Sequence, residues 1–202
     1  MKLYYAPGAC SLSPHIVARE SGLDISLQKV DTGTKTIAIE GDYFDVNPKG
    51  YVPALQLESG EVLTEGPAIV QYLGDQRPDA GLVPKAGTLE RYRLQEMLSY
   101  ITSEIHKAYS PLFNSKTPPE TVEERKLYLR KRYKLLDERL AGRDYLFGDR
   151  FTAADAYLFT VTTWAGYVKL DLSEFENLAA FQKRVAARPA VKEAMKAEGL
   201  LK

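Results

Sequence analysis

The one cysteine of the 202-residue chain, Cys10, lies in the stretch YYAPGACSLSPH, residues 4–15. It follows a strand-like run and a Pro7-Gly8 break, and it precedes a helical run in which Ser13 can cap and Pro14 suits the first turn. At such a junction, unpaired backbone N–H groups and the helix dipole favour a thiolate, so the pattern predicts a reactive thiol. The plainer alternative is a small buried hydrophobe, which the neighbours Ala9 and Ser11 do not suggest. A C-x-x-C oxidoreductase would carry its second sulfur at position 13, which is Ser13. Any disulfide cycle must therefore draw its second thiol from another molecule.

Further along, Pro53 in YVPALQL stands just ahead of a strand. Proline removes a ladder donor and suits a strand start, a sheet edge or a cis X-Pro turn. In the cis case the Val52 backbone turns outward, free to pair with a peptide-like ligand; a trans strand start explains the same letters. In LTEGPAIVQYL, Glu65 and Gly66 open a helix with Pro67 at its first position. Helix N–H groups can bind a carboxylate and the Glu65 side chain an amine, which together suit an α-amino acid group; an ordinary capped helix is the alternative. On the long helix opened by Thr88, Leu94, Met97, Ile101, Ile105 and Ala108 turn one way. Ser99, Thr102, Ser103, His106 and Ser110 turn another, with Lys107 on the edge. Small hydroxyls around one histidine make a polar cleft wall or a solvated face, and His106 can donate to a thiolate or shuttle a proton. His15, in the first turn of the first helix, reads as surface.

Two kinds of framework must position these residues. Over 1–77, strand and helix signals alternate: a strand, a helix stopped by Gly22, a strand at 25–30, a polar loop, the hairpin PALQL and EVL, then a helix. This predicts an α/β domain, a small mixed sheet with helices against it. Residues 78–85, PDAGLVPK, read as a linker, and 86–202 as all-helical. There the Thr88 helix ends before Pro111, and Thr117 with Glu120 forms a capping box for a helix striped by Val122, Leu129, Tyr133, Leu136 and Leu140. Thr152 and Asp155 repeat the box ahead of AYLFTVTTWAGYV, which is apolar nearly all round and hence buried; helices near 175–187 and 190–198 close the chain.

With 45% hydrophobic residues the chain can bury a sizeable core, and Lys plus Arg (27) cancels Asp plus Glu (27). That balance removes the broad positive field needed for nucleic acid or anionic lipid. No signal-peptide core or membrane-length apolar run is present, which predicts a cytoplasmic protein, and one cysteine leaves nothing for a disulfide or a Cys-rich zinc site.

PGACSLSPHI, NPKGYVPAL, LTEGPAIVQYL, SEIHKAYSPLF and FTAADAYLFTV, in this order along the full chain, resemble the bacterial beta class of glutathione transferases. The resemblance implies a thioredoxin-like N-terminal domain followed by an all-helical C-terminal domain, a homodimer, glutathione as co-substrate in the cleft between domains, and no metal. It implies that Cys10 faces the glutathione sulfur and can form a mixed disulfide with it, and that His106 reaches the same place from the second domain. Val52 and Pro53, joined by a cis peptide, would hold the cysteinyl part, Glu65 and Gly66 the γ-glutamyl part, and Lys35 the glycine end. Ser99, Ser103 and Glu104 correspond to further polar contacts, some drawn from the partner subunit, and Thr152 with Asp155 to a folding signature. Gly66 replaces a common serine and Ser99 an expected asparagine, which predicts weaker glutathione binding. The implied activity is attack of glutathione thiolate on small hydrophobic electrophiles, a detoxification chemistry, with glutathione-dependent thiol–disulfide exchange through Cys10 as a second mode. A non-catalytic carrier of hydrophobic compounds, its pocket lined by Tyr109, Phe113, Trp164 and Tyr167, and a ligand-free regulatory module are the alternatives on the same fold.

Overall fold

β-prone residues with one buried face build the sheet from the N-terminus: β1 (Lys2–Tyr5) buries Leu3 on one side and Tyr4 on the other. The computed structural model describes residues 1–37 and 41–201. Helix α1 (Leu12–Glu20) follows β1 and leads to β2 (Ser26–Asp31), which lies parallel to β1. Next come β3 (Thr36–Ile37), β4 (Gly41–Asp42), a 3₁₀ turn (Tyr43–Asp45), the hairpin β5 (Ala54–Gln56) and β6 (Val62–Thr64), and helix α2 (Gly66–Gln76). The sheet order is β4-β3-β2-β1-β5-β6, with every pairing except β1 to β2 antiparallel. This is a thioredoxin-like mixed sheet. β3 and β4 fall in what the sequence pattern presents as a polar loop, because two residues each are too few to show a period of two.

After a 3₁₀ turn at Pro78–Ala80 the elements among the described residues are helices joined by loops: α3 (Leu89–Tyr100), α4 (Pro119–Leu140), α5 (Ala153–Thr162), α6 (Trp164–Tyr167), α7 (Glu176–Ala187) and α8 (Pro189–Ala197). α5 is buried on all sides, as its apolar sequence predicts, and its capping box is present: Asp155 accepts from Thr152 N at 2.8 Å and Thr152 Oγ1 at 2.7 Å. The other Asp155 oxygen accepts from Leu146 N at 2.8 Å, so one carboxylate ties the preceding loop to the helix start. α1 packs against α2, α5 and α8, and a single core runs from Leu3 and Ile16 through Leu94 and Leu158 to Val191. A smaller cluster around Tyr4, Tyr43 and Val52 covers the far side of the sheet.

Four local expectations are corrected. α1 begins at Leu12 rather than after Ser13, whose hydroxyl donates to Cys10 O at 3.0 Å. The long helix does not stop before Pro111: α3 widens into a π-helical stretch (Ile101–His106) and tightens into 3₁₀ turns (Lys107–Phe113) that contain it. α4 starts at Pro119 with no side-chain cap, because Thr117 Oγ1 donates instead to Pro111 O at 2.6 Å. His15 is fully buried, its Nδ1 2.9 Å from Glu198 Oε1 after the last helix. A histidine accepts burial when a carboxylate meets it, and here that partner lies 183 residues along the chain.

Candidate active site

The turn between β1 and α1 carries Cys10 into a cleft between the sheet domain and the helices. The turn is held from the helical domain: Gly8 N donates to Glu198 Oε2 at 3.0 Å, and Trp164 Nε1 donates to Gly8 O at 2.8 Å. Ser11 Oγ, at the helix start, bonds back to Ala6 N at 3.1 Å. Gly8 has a φ of 70°, which a residue with a Cβ would strain to adopt.

Two lobes of about 530 and 360 Å³ make up the cleft and share Cys10, Tyr51, Val52 and His106. One lobe holds Lys35, Ser110 and the rings of Phe113, Trp164 and Tyr167; the other holds Lys49, Pro53, Glu65, Gly66, Thr102, Lys107 and Tyr157. The Val52–Pro53 peptide is cis. Val52 O accepts from Cys10 Sγ at 3.2 Å, while Val52 N–H has no partner within the chain among the described residues. Lys35 Nζ donates to Gly50 O at 2.8 Å beside the exposed Tyr51 ring. Glu65, at φ 71°, stands at the N-cap of α2 and pairs with Lys49 at 2.7 Å. Both side chains of that pair are more than half exposed, so it contributes little and a ligand amine can replace Lys49. A Cβ on Gly66 would lie 3.9 Å from Pro53 Cγ, leaving room for a side chain there.

The sequence predicts that the helix N-terminus lowers the Cys10 thiol. The structure reverses this: burial pushes it up to about 12, despite the opposing pull of nearby backbone N–H groups and Lys107. Cys10 precedes α1 by two residues, so it lies off the end of the dipole, and its S–H already has a carbonyl to donate to. His106 moves the other way, down to about 4, because burial and then Lys107 disfavour its cation. Near neutral pH the cleft therefore presents a neutral thiol and a neutral imidazole, both hydrogen-bond donors.

Of the polar helix face, Thr102, His106 and Ser110, four apart along the π and 3₁₀ stretch, line the cleft. Ser99 and Ser103 are exposed outside it, with Ser103 Oγ donating to Ser99 O at 3.0 Å. Glu104 also points away, to Tyr128 Oη and Arg132 Nε, both at 2.6 Å. The wider turn separates these rows, which a straight helix would merge into one face. Tyr109, which the carrier alternative places in its pocket, is fully buried beneath Trp164 and bonded to Tyr133 Oη at 2.9 Å. Two cleft residues carry no signal in the sequence pattern: Lys49 reads as loop, and Tyr157 as one more apolar position of α5.

The comparisons with known proteins decide the family. Residues 8–76 match the family described as glutathione S-transferase, N-terminal domain, and residues 100–189 the C-terminal domain. A glutathione S-transferase, GstA of Escherichia coli O157:H7, is 50% identical over 200 residues, 99% of this chain and 100% of its own. The chain belongs to the glutathione S-transferase family. Within it, a beta-class glutathione S-transferase from Sphingomonas chungbukensis superposes with a TM-score of 0.96 at 46% identity, over the full length of both chains. A sphingomonad glutathione S-transferase solved with glutathione does so with a TM-score of 0.95, also at 46% identity and full coverage of both. Among the described residues no cluster of three or more His, Cys, Asp or Glu is arranged to hold a metal ion, and no helix is long and apolar enough to cross a membrane.

Proposed function

We propose that this protein is a glutathione transferase that binds glutathione across the cleft and directs its thiolate at small hydrophobic electrophiles. The observation that carries the reading is the convergence of Cys10 and His106, from different domains, beside the unpaired Val52 N–H. The γ-glutamyl end sits on the α2 N-terminus at Glu65 and Gly66, the cysteinyl backbone pairs with Val52 beside Pro53, and the glycine carboxylate reaches Lys35. The glutathione thiol loses its proton to solvent. Its sulfur is then held by His106 and by the Cys10 S–H, which turns from Val52 O to the ligand, in a site where those bonds are stronger than in water. The thiolate forms a bond to an electrophilic carbon, the leaving group departs with the electron pair of the bond it breaks, and Phe113, Trp164 and Tyr167 shelter the apolar part of the acceptor.

The upward shift of Cys10 argues for this donor role over a nucleophilic one. Exchange with glutathione disulfide, in which Cys10 attacks one sulfur and releases glutathione thiolate, is the slower second mode. We take 1–77 as the glutathione-binding unit, 78–85 as the linker and 86–202 as the unit that completes the cleft. The protein acts in the cytoplasm as a homodimer, and Ser99, Ser103 and Glu104, turned out of their own cleft, serve the partner's glutathione site.

The test is glutathione-dependent thioether formation from a chlorodinitrobenzene. Turnover that falls in His106→Ala and Cys10→Ala supports the reading, whereas binding of glutathione and acceptor with no thioether formed would favour the carrier instead.

A further inference from the structure

Tyr157 projects from the buried face of α5 into the floor of the cleft, where its hydroxyl lies 2.6 Å from His106 Nδ1. The two rings meet edge to face at 5.8 Å, and on its other side the imidazole meets Trp164 at 4.9 Å, so the ring is clamped. A hydroxyl next to an imidazole nitrogen is satisfied in either direction, and the neighbours decide which. Thr102 Oγ1 is the only other group near Tyr157 Oη among the described residues, at 3.5 Å. The Thr102 hydroxyl is on the donor side of that contact and directs its proton to Leu98 O at 2.7 Å, so among the described residues only His106 is placed to accept the tyrosine proton. The short contact therefore takes the tyrosine proton, and His106 Nδ1 is the acceptor. Burial keeps the tyrosine protonated and the imidazole neutral, in accord with that direction.

The geometry points to Tyr157 as a positioning residue: by donating to His106 Nδ1 it fixes the imidazole as the Nε2–H tautomer and leaves that N–H to the cleft. Nε2 has no partner within the chain among the described residues, and His106 lines both lobes. The opposite tautomer would turn a lone pair toward an anionic sulfur and repel it. Tyr157 thereby acts on the thiolate without touching it. This deepens the proposed function and rests on it for the identity of the anion, while the tautomer itself does not depend on any ligand.

Histidine-selective ¹⁵N labelling with long-range ¹H–¹⁵N correlation NMR on the ligand-free protein near pH 7 reads the tautomer directly, and with only two histidines in the chain assignment is simple. The expected spectrum shows His106 protonated at Nε2 in the native protein and a mixture of tautomers in Tyr157→Phe. The same variant should lose about three- to tenfold in kcat/KM for conjugation, the scale of one net hydrogen bond, and no further activity when His106→Ala is already present. An Nδ1–H imidazole in the native protein, an unchanged tautomer in Tyr157→Phe, or an undiminished rate in that variant would each overturn the assignment. Failure of the glutathione reading is a separate result, since it would abolish turnover in the native protein while leaving the native spectrum as predicted.

Discussion

Cys10 should be a slow nucleophile at neutral pH, and the size of the effect follows from its surroundings. An ordinary cysteine titrates near 9.0, and burial pushes Cys10 up to about 12. At pH 7.5 this lowers the thiolate fraction about a thousandfold. A more basic thiolate is intrinsically more reactive, which with a Brønsted slope of about 0.4–0.5 returns roughly 15- to 30-fold. Alkylation by iodoacetamide should thus run about 30- to 60-fold slower than for the same cysteine in the urea-unfolded chain. Since there is one cysteine, intact-mass spectrometry follows the reaction without ambiguity. Repeated from pH 7 to 10, the rate should climb about tenfold per unit without a plateau, because the thiol titrates above that range. Alkylation as fast as in the unfolded chain, or a plateau below pH 8, would mean that a helix-end thiolate exists after all and would refute the donor role given to Cys10.

Three other outcomes are expected. Glu198→Ala removes the carboxylate shared by buried His15 and Gly8 N, and should cost about 2–4 kcal/mol in chemical denaturation, two groups left without a partner, while raising the KM for glutathione, because the Cys10 turn loses an anchor. Asp155→Ala leaves the N–H groups of Leu146 and Thr152 unpaired inside the protein, a loss of about 3–5 kcal/mol that calorimetry should read as a fall in Tm of roughly 6–20 °C. Gly66→Ser places a hydroxyl where the backbone has no positive φ and the neighbouring Pro53 leaves ordinary contact, so glutathione affinity measured by fluorescence titration should rise about two- to tenfold.

Where the sequence pattern predicts well, the controlling physics is local. The apolar run of α5 and its Thr152–Asp155 box, the hairpin after Pro53 and the strand-to-helix turn at Cys10 are each set by residues a few positions apart. The misses are non-local. His15 reads as surface because its partner, Glu198, is at the other end of the chain. Ser99 and Ser103 share one face with His106 in a uniform helical period, which leaves cleft wall and solvated face open, and only the π-helical stretch at Ile101–His106 turns them away from their own cleft. The acidity of Cys10 takes the wrong sign because the helix end is visible in sequence, whereas the Val52 carbonyl lies 42 positions away and the lobe around it is walled by residues from Asn47 to Tyr157. Tyr157 has the pattern of a core residue, and only the tertiary fold shows that its hydroxyl meets His106.

The central claim is that neutral donors hold glutathione as a thiolate in this cleft, and calorimetric titration of glutathione in buffers of different ionisation enthalpy tests it most directly, since the buffer dependence of the heat counts protons. Binding at one site per chain, with close to one proton released per site at pH 7 and the release diminished in Cys10→Ala and His106→Ala, is the predicted result. Saturable binding with no proton release, or no binding up to millimolar glutathione, would contradict it.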